Sequence, residues 1–310
     1  MSSPYQGVIL AAGRGSRMGP LADHYPKALL PVANVPLIVR HVETLRKLDV
    51  HEITVVVGHH APMIEALLGD GTAFDVSIQY VHQHERHGLA HAVAALEPHI
   101  TAPFYLLLGD IYFDFTHLGA ATRAFEAEGA AAVLAVERAA DPAAVRRNFS
   151  VDLEPGGQIR GVEEKPAETD CRCKGCGLYL FDGRIFDAID RTPRSALRNE
   201  FELTDAIQVL IDDEAPVYGV EMTSWDVNIT EPADLIACNV RALEALGQRH
   251  LIGHGCDIAA GAVLEHTTVG DGARIAHPIR LERCVVLPRA VVESEADLRD
   301  AVIAPGLIAR

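Results

Sequence analysis

Positive charge is scarce in this sequence: 27 lysines and arginines stand against 43 acidic residues, leaving a formal charge of −16 over 310 residues. Such a balance repels duplex nucleic acid and anionic bilayers, so neither is expected as a partner. An anionic small molecule must then be gripped by a few local Lys and Arg side chains or through a metal. Long apolar runs are missing as well. No stretch approaches the roughly 18 apolar residues of a membrane span, and the N-terminal segment has no basic region ahead of an apolar one. The cytoplasm is the expected compartment. Six cysteines in a chain of this length do not make a disulfide framework. Three of them, Cys171, Cys173 and Cys176, crowd together, but no fourth ligand stands near them in sequence for a tetrahedral metal site.

What is present is a hydrophobic fraction of 49% and a mean hydropathy of +0.12, enough for one sizeable core and a smaller module. Short β-rich runs at residues 8–10, 53–57, 76–81, 104–108 and 131–136 alternate with amphipathic stretches at 36–48, 62–68, 89–96 and 118–128. That alternation predicts a Rossmann-like α/β fold, a mostly parallel sheet covered on both faces, with ligands beyond the carboxyl ends of its strands. Between 145 and 181 strands follow one another without long crossovers, around Pro155-Gly156-Gly157, and predict an antiparallel or mixed extension. Helices return at 183–190, 203–213 and 232–246, so a first domain is expected over residues 1–246.

Residues 247–310 carry an internal repeat. Ile252, Val269, Val286 and Ile303 are seventeen apart, as are Ile258, Ile275 and Val292, and Leu264, Leu281 and Leu298. Within each period the apolar positions are spaced six, six and five, which fits a β-helix coil with three short faces rather than an amphipathic helix. Three coils are a short stack, and an uncapped end points to self-association as a homodimer or homotetramer.

The first strand runs into Ala11-Ala12-Gly13-Arg14-Gly15-Ser16-Arg17-Met18. Glycines at a strand's end free backbone N–H groups to cradle phosphate oxygens. Met18 stands where a dinucleotide fingerprint needs its third glycine, and no Gly-Lys-Ser/Thr follows, so neither an oxidoreductase cofactor site nor a P-loop is expected. Arg17 and Lys27 come next, the latter in Pro26-Lys27-Ala28-Leu29-Leu30-Pro31. The whole stretch from Leu10 to Ile38 resembles the first motif of the sugar-1-phosphate nucleotidyltransferases, which include glucose-1-phosphate thymidylyltransferases and uridylyltransferases. Further matches are Gly88-Leu89-Ala90-His91-Ala92, Leu108-Gly109-Asp110, Glu163-Glu164-Lys165-Pro166, Gly177-Leu178-Tyr179 and Trp225-Asp226-Val227-Asn228. The repeated tail looks like the short left-handed β-helix that some members append.

The resemblance implies an enzyme that joins a nucleoside triphosphate to a sugar 1-phosphate and releases pyrophosphate with the help of Mg²⁺. Ala12, Gly13 and Gly15 then wrap the triphosphate, Arg17 meets its outer phosphates and Lys27 draws phosphates to the reaction centre. Asp110 becomes a Mg²⁺ ligand beside Gly109; the second ligand is Asn228, seven residues before Leu235, with Asp226 as the alternate. Glu164 and Lys165 inherit the sugar hydroxyls and the sugar phosphate, and Gly177 lines the sugar pocket. Gln83, five residues before Gly88, faces the base, and its carboxamide suits dTTP, UTP or CTP. Phe149-Ser150 replaces the Tyr-Gly common in hexose-specific members, which keeps a cytidylyltransferase for a cyclitol or small phosphorylated alcohol in view. A catalytically silent regulatory relative is disfavoured by the retention of Arg17, Lys27, Asp110 and Lys165. Acyl transfer on the tail is disfavoured by its three coils, too few for a generous cleft. In-line attack by a phosphate already dianionic at pH 7 needs no general base, in keeping with a sequence that offers no Ser/His/Asp set.

Overall fold

The computed structural model describes residues 3–85, 87–139, 141–196 and 198–310. It divides into two compact units, one made of Met1–Ala12, His41–Leu108 and Phe113–Asp226, the other of Gly13–Arg40, Gly109–Tyr112 and Val227–Arg310. Among the described residues no helix is long and apolar enough to cross a membrane.

The first unit is built on a nine-stranded sheet, counted among the described residues. Its parallel half runs Ser77–His82, Glu52–Val57, Gln6–Leu10 and Phe104–Leu108. Gln6–Leu10 is buried throughout and Phe104–Leu108 nearly so, as expected of strands covered on both faces. Cys173–Phe181 then pairs antiparallel with Phe104–Leu108, and beyond it the sheet forks. One branch is Ala132–Arg138 with Val217–Glu221 parallel to it; the other is the hairpin of Phe149–Leu153 and Ile159–Glu164. The mixed α/β sheet and its antiparallel extension are therefore as the residue pattern predicts. Several details escaped that pattern, two of them in this sheet's extension. A short helix at Pro142–Arg147 precedes the hairpin, started by Pro142 and by Asp141, whose carboxylate accepts from the Ala143 amide. Cys173–Phe181 also begins three residues earlier than its apolar run suggests, because it carries the buried lysine Lys174.

The second unit holds the glycine loop, the helix Pro232–Ala245 and the tail. That helix opens on Pro232 and a reciprocal cap between Glu231 and Asp234. On its inner face the buried Asn239 accepts from the Ala33 amide and from Thr268, and donates to the Pro31 and Leu235 carbonyls. One side chain thus ties the helix, the segment after the glycine loop and the tail together.

In the tail the seventeen-residue period reappears as strand register. Ile252 pairs with Val269, Val269 with Val286 and Val286 with Ile303; Ile258, Ile275 and Val292 form a second parallel row. Leu264, Leu281 and Leu298 form a third. These strands are consistent with a β-helix. Its two ends differ: Leu307–Ala309 folds back antiparallel on the last coil, whereas Ile252 in the first coil is 43% exposed against 1% or less for its three counterparts. Ile275 is the middle of its row and buried. Ile275→Asp is expected to lower stability by about 3 kcal/mol, since it removes a packed aliphatic group and inserts an unpaired carboxylate. Urea denaturation checks it, and an unchanged midpoint would mean that the row does not face inward.

Candidate active site

In the second unit the glycine loop follows the first strand. Gly15 adopts a positive φ of 67° and leads into the turn Ser16–Met18, whose Met18 side chain is buried while Arg17 stays exposed. The stem of Lys27 lies along Gly15: a Cβ there would stand 2.9 Å from Lys27 Cγ and Cε. A side chain at residue 15 would push this lysine aside, on top of the strain an L-residue meets at that φ. Lys27 itself opens a single turn, Lys27–Leu29, after Pro26. Its ammonium is 3.0 Å from Asp110 Oδ2, and its side chain is only 9% exposed.

Asp110 follows Leu108 and Gly109 at the carboxyl end of a buried strand. Its backbone carbonyl accepts from the Ile229 amide at 2.8 Å, so Asn228 belongs to the segment hydrogen-bonded beside it. The Asn228 Oδ1 atom is buried and meets no hydrogen-bond donor among the described residues. A buried oxygen without a donor is a costly arrangement unless a cation or water completes it. Asp110 and Asn228 together offer the oxygen donors that a hard divalent ion takes.

The first unit carries the remaining expected residues. Ala12 is buried, with Gly58 packed so closely that a Cβ on it would come 2.8 Å from the Ala12 carbonyl. Gln83 is half-buried past the end of Ser77–His82, its amide bonded to the Val57 carbonyl. Gly88 has φ 111°, and a Cβ there would fall 2.3 Å from the Phe201 carbonyl oxygen, so only glycine fits. Gly177 has φ 76°, within the irregular stretch of its strand between Gly175 and Tyr179. Lys165 adopts φ 43° although it precedes Pro166, a position where sterics favour an extended backbone. Its amide donates to the Asn148 carbonyl, which helps to hold this strained conformation.

Glu164 is the centre of a network. Lys165 Nζ stands 2.9 Å from its Oε1, Thr204 Oγ1 donates to its Oε2 at 2.8 Å, and Arg198 reaches within 3.8 Å. Arg198 also pairs with Glu200 and Glu202. Neither Arg198 nor Thr204 was marked from sequence. The available signal was the last of three arginines, Arg191, Arg194 and Arg198, ahead of the Thr204-Asp205 helix start, which composition alone assigns to solvent or capping. The histidines near Gln83 do not gather into a metal cluster among the described residues; His82 pairs with Glu65 and His87 with Glu85.

The sequence model of the family described as nucleotidyl transferase matches residues 6–239. The chain belongs to this family. A low-salt glycan biosynthesis nucleotidyltransferase of Haloferax volcanii is 33% identical over 242 residues, 77% of this chain and 66% of that protein. A glucose-1-phosphate thymidylyltransferase of Streptomyces griseus is 31% identical over 284 residues, covering 86% and 78% of the two chains. Among solved structures, a candidate glucose-1-phosphate thymidylyltransferase of Bacillus anthracis superimposes with a TM-score of 0.69 at 28% identity, over 77% of this chain and 95% of that one.

Within this nucleotidyltransferase the first unit also holds a buried charge cluster that sequence spacing did not reveal. Lys174 Nζ lies 2.5 Å from Asp226 Oδ1 and 3.1 Å from Glu137 Oε2, and the Lys174 and Asp226 side chains are 5% and 4% exposed. Glu137, Cys176 and Asp226 are the one group of three His, Cys, Asp or Glu side chains among the described residues whose donor atoms lie close enough together to hold a metal, and the lysine ammonium stands among them. Burial, then the bond to Asp226, raises the Glu137 carboxyl, and burial raises the Cys176 thiol well above its usual range. Burial lowers the Lys174 ammonium, but its acidic neighbours reverse this and hold it charged. Cys173 is pushed up to about 11 by burial, so neither thiol is a ready nucleophile. Lys174→Met is expected to cost about 3 kcal/mol of stability by leaving Asp226 buried and unpaired. Adding Asp226→Asn should recover most of that loss in urea melts; equal losses for the single and double variants would remove the ion pair from the account.

Proposed function

We propose that this nucleotidyltransferase joins a pyrimidine nucleoside triphosphate, dTTP, UTP or CTP, to a sugar 1-phosphate and releases pyrophosphate. The observation that carries the reading is the pairing of Lys27 with Asp110 beside the donor-less Oδ1 of Asn228, under the glycine loop that leads to Arg17. The glucose-1-phosphate thymidylyltransferase of Streptomyces griseus and a UTP–glucose-1-phosphate uridylyltransferase of Haloferax volcanii, 33% identical over 74% of this chain, support the substrate class by their names. Ala12, Gly13 and Gly15 wrap the triphosphate, Arg17 and Lys27 offset its charge, and Gln83 and Gly88 face the base. Glu164 holds sugar hydroxyls, Lys165 the sugar phosphate, Gly177 lines the sugar pocket, and Gly109 leads into Asp110.

A sugar-phosphate oxygen attacks the α-phosphorus; that P–O bond forms as the bond to the bridging α–β oxygen breaks, and pyrophosphate leaves. The attacking phosphate is already dianionic at pH 7, so alignment and charge neutralisation are the tasks left to the protein. Asp110 and Asn228 are the residues fitted to hold Mg²⁺, which when bound neutralises charge on phosphate oxygens. Asp226 is less suited to that role because its side chain is enclosed with Lys174 and only 4% exposed, against 31% for Asp110. A second substrate reading, a cyclitol or small alcohol phosphate, draws on Phe149-Ser150. The Phe149 ring covers Gly175, and Ser150 is buried, where a glycine would leave backbone open to a sugar hydroxyl. Residues 1–246 form the catalytic domain in this reading, in the cytoplasm, and 247–310 a left-handed β-helix through whose open end the chain assembles as a homodimer or homotetramer.

Pyrophosphate release measured over a panel of nucleotides and sugar phosphates tests the activity, and silence with every pair would overturn it. Asp110→Asn is expected to cut turnover by about 100-fold with the fold intact, as loss of a charged metal ligand does. In Mg²⁺ titrations of activity, Asn228→Ala should raise the requirement more than Asp226→Asn; the reverse order would exchange their roles.

A further inference from the structure

We propose that the Lys27 ammonium is a resident counter-ion of Asp110, competing with a divalent cation until nucleotide phosphates draw the lysine away. This rests on the reading of Asp110 as a metal ligand. Lys27 Nζ stands 3.0 Å from Asp110 Oδ2, and with its side chain only 9% exposed, against 31% for that of Asp110, the lysine end of the pair has lost much of the water that would screen it. The absence of a side chain at Gly15 leaves the stem of Lys27 room to reach Asp110, since a Cβ there would come within 3.2 Å of Cγ, Cδ and Cε. The neighbouring donor has no such partner: Asn228 Oδ1 is buried without a hydrogen bond. Of the two groups fitted to a metal, the charged one therefore already carries a cation and the neutral one waits for one.

A second cation approaching Asp110 meets either the repulsion of a fixed ammonium or the cost of moving it. A triphosphate offers Lys27 several negative charges, and a rotation of its flexible stem exchanges the carboxylate for a phosphate oxygen. Asp110 is then released when the nucleotide is in place. Nucleotide and metal binding become positively coupled, and each raises the affinity for the other by the same factor. The chain so avoids tying up its acidic site with free divalent ions while no nucleotide is bound.

The test uses the full-length protein without nucleotide and Mn²⁺ as the probe, with free ion read by electron paramagnetic resonance. Lys27→Met keeps the stem against Gly15 and removes the charge; it is expected to bind Mn²⁺ about tenfold more tightly than the unmodified protein. Lys27→Arg keeps the charge and should stay within about twofold of the unmodified protein. Asp110→Asn should bind more weakly than all three. Unchanged or weaker binding by Lys27→Met, with Asp110→Asn still weakened, overturns the counter-ion role and leaves the metal ligand standing. Unaltered binding by Asp110→Asn overturns the metal reading, and the proposal with it. Far-ultraviolet circular dichroism verifies each fold; if Lys27→Met does not fold, Lys27→Gln is judged by the same criterion.

Discussion

The arrangement of this protein turns on how an acidic chain keeps cations where phosphates need them. Three lysines, Lys27, Lys165 and Lys174, each stand against a carboxylate, Asp110, Glu164 and Asp226. With these partners, each charge is fixed in position at a modest electrostatic cost. The three pairs differ in exposure, and that difference separates their roles. Lys174 is enclosed with its acids and serves the fold, whereas Asp110 and Lys165 remain open enough to meet a ligand.

The backbone supports these pairs by simple means. Asp110 comes directly after Gly109, and its backbone carbonyl is held by the Ile229 amide. Lys165 is held in a strained conformation by one hydrogen bond to Asn148. Glycines appear where another backbone or side chain comes too near for a Cβ, as Gly88 against Phe201 and Gly15 against Lys27 show. The catalytic machinery proposed here thus needs few special residues, each placed by an ordinary element.

The tail is organised by a different rule. Its core consists of three rows of aliphatic side chains, each repeated by strand register, and its attachment within its unit runs through the polar hub of Asn239. Hydrogen bonds through a buried amide have strict geometry, so they set how helix, loop segment and coils meet while the aliphatic rows supply most of the burial. The asymmetry between a covered last coil and an exposed Ile252 leaves the first coil as the surface with most to gain from cover.

Much of this was legible in the residues themselves. Apolar runs such as Phe104–Leu108 and the seventeen-residue period in the tail predict strands and their register, because both depend on local alternation and spacing. The glycine loop and the Leu108-Gly109-Asp110 motif stand out in sequence for the same reason: each is a run of neighbours along the chain. Pairings between distant residues were not legible. Lys174 looked like one more charge between cysteines until the sheet set it against Glu137 and Asp226, residues 37 positions before it and 52 after it. Arg198, Thr204 and the Lys27–Asp110 pair are likewise products of folding. Sequence determines where each chemical group lies along the chain, but charge pairing falls off with distance in space, and only the tertiary structure sets those distances.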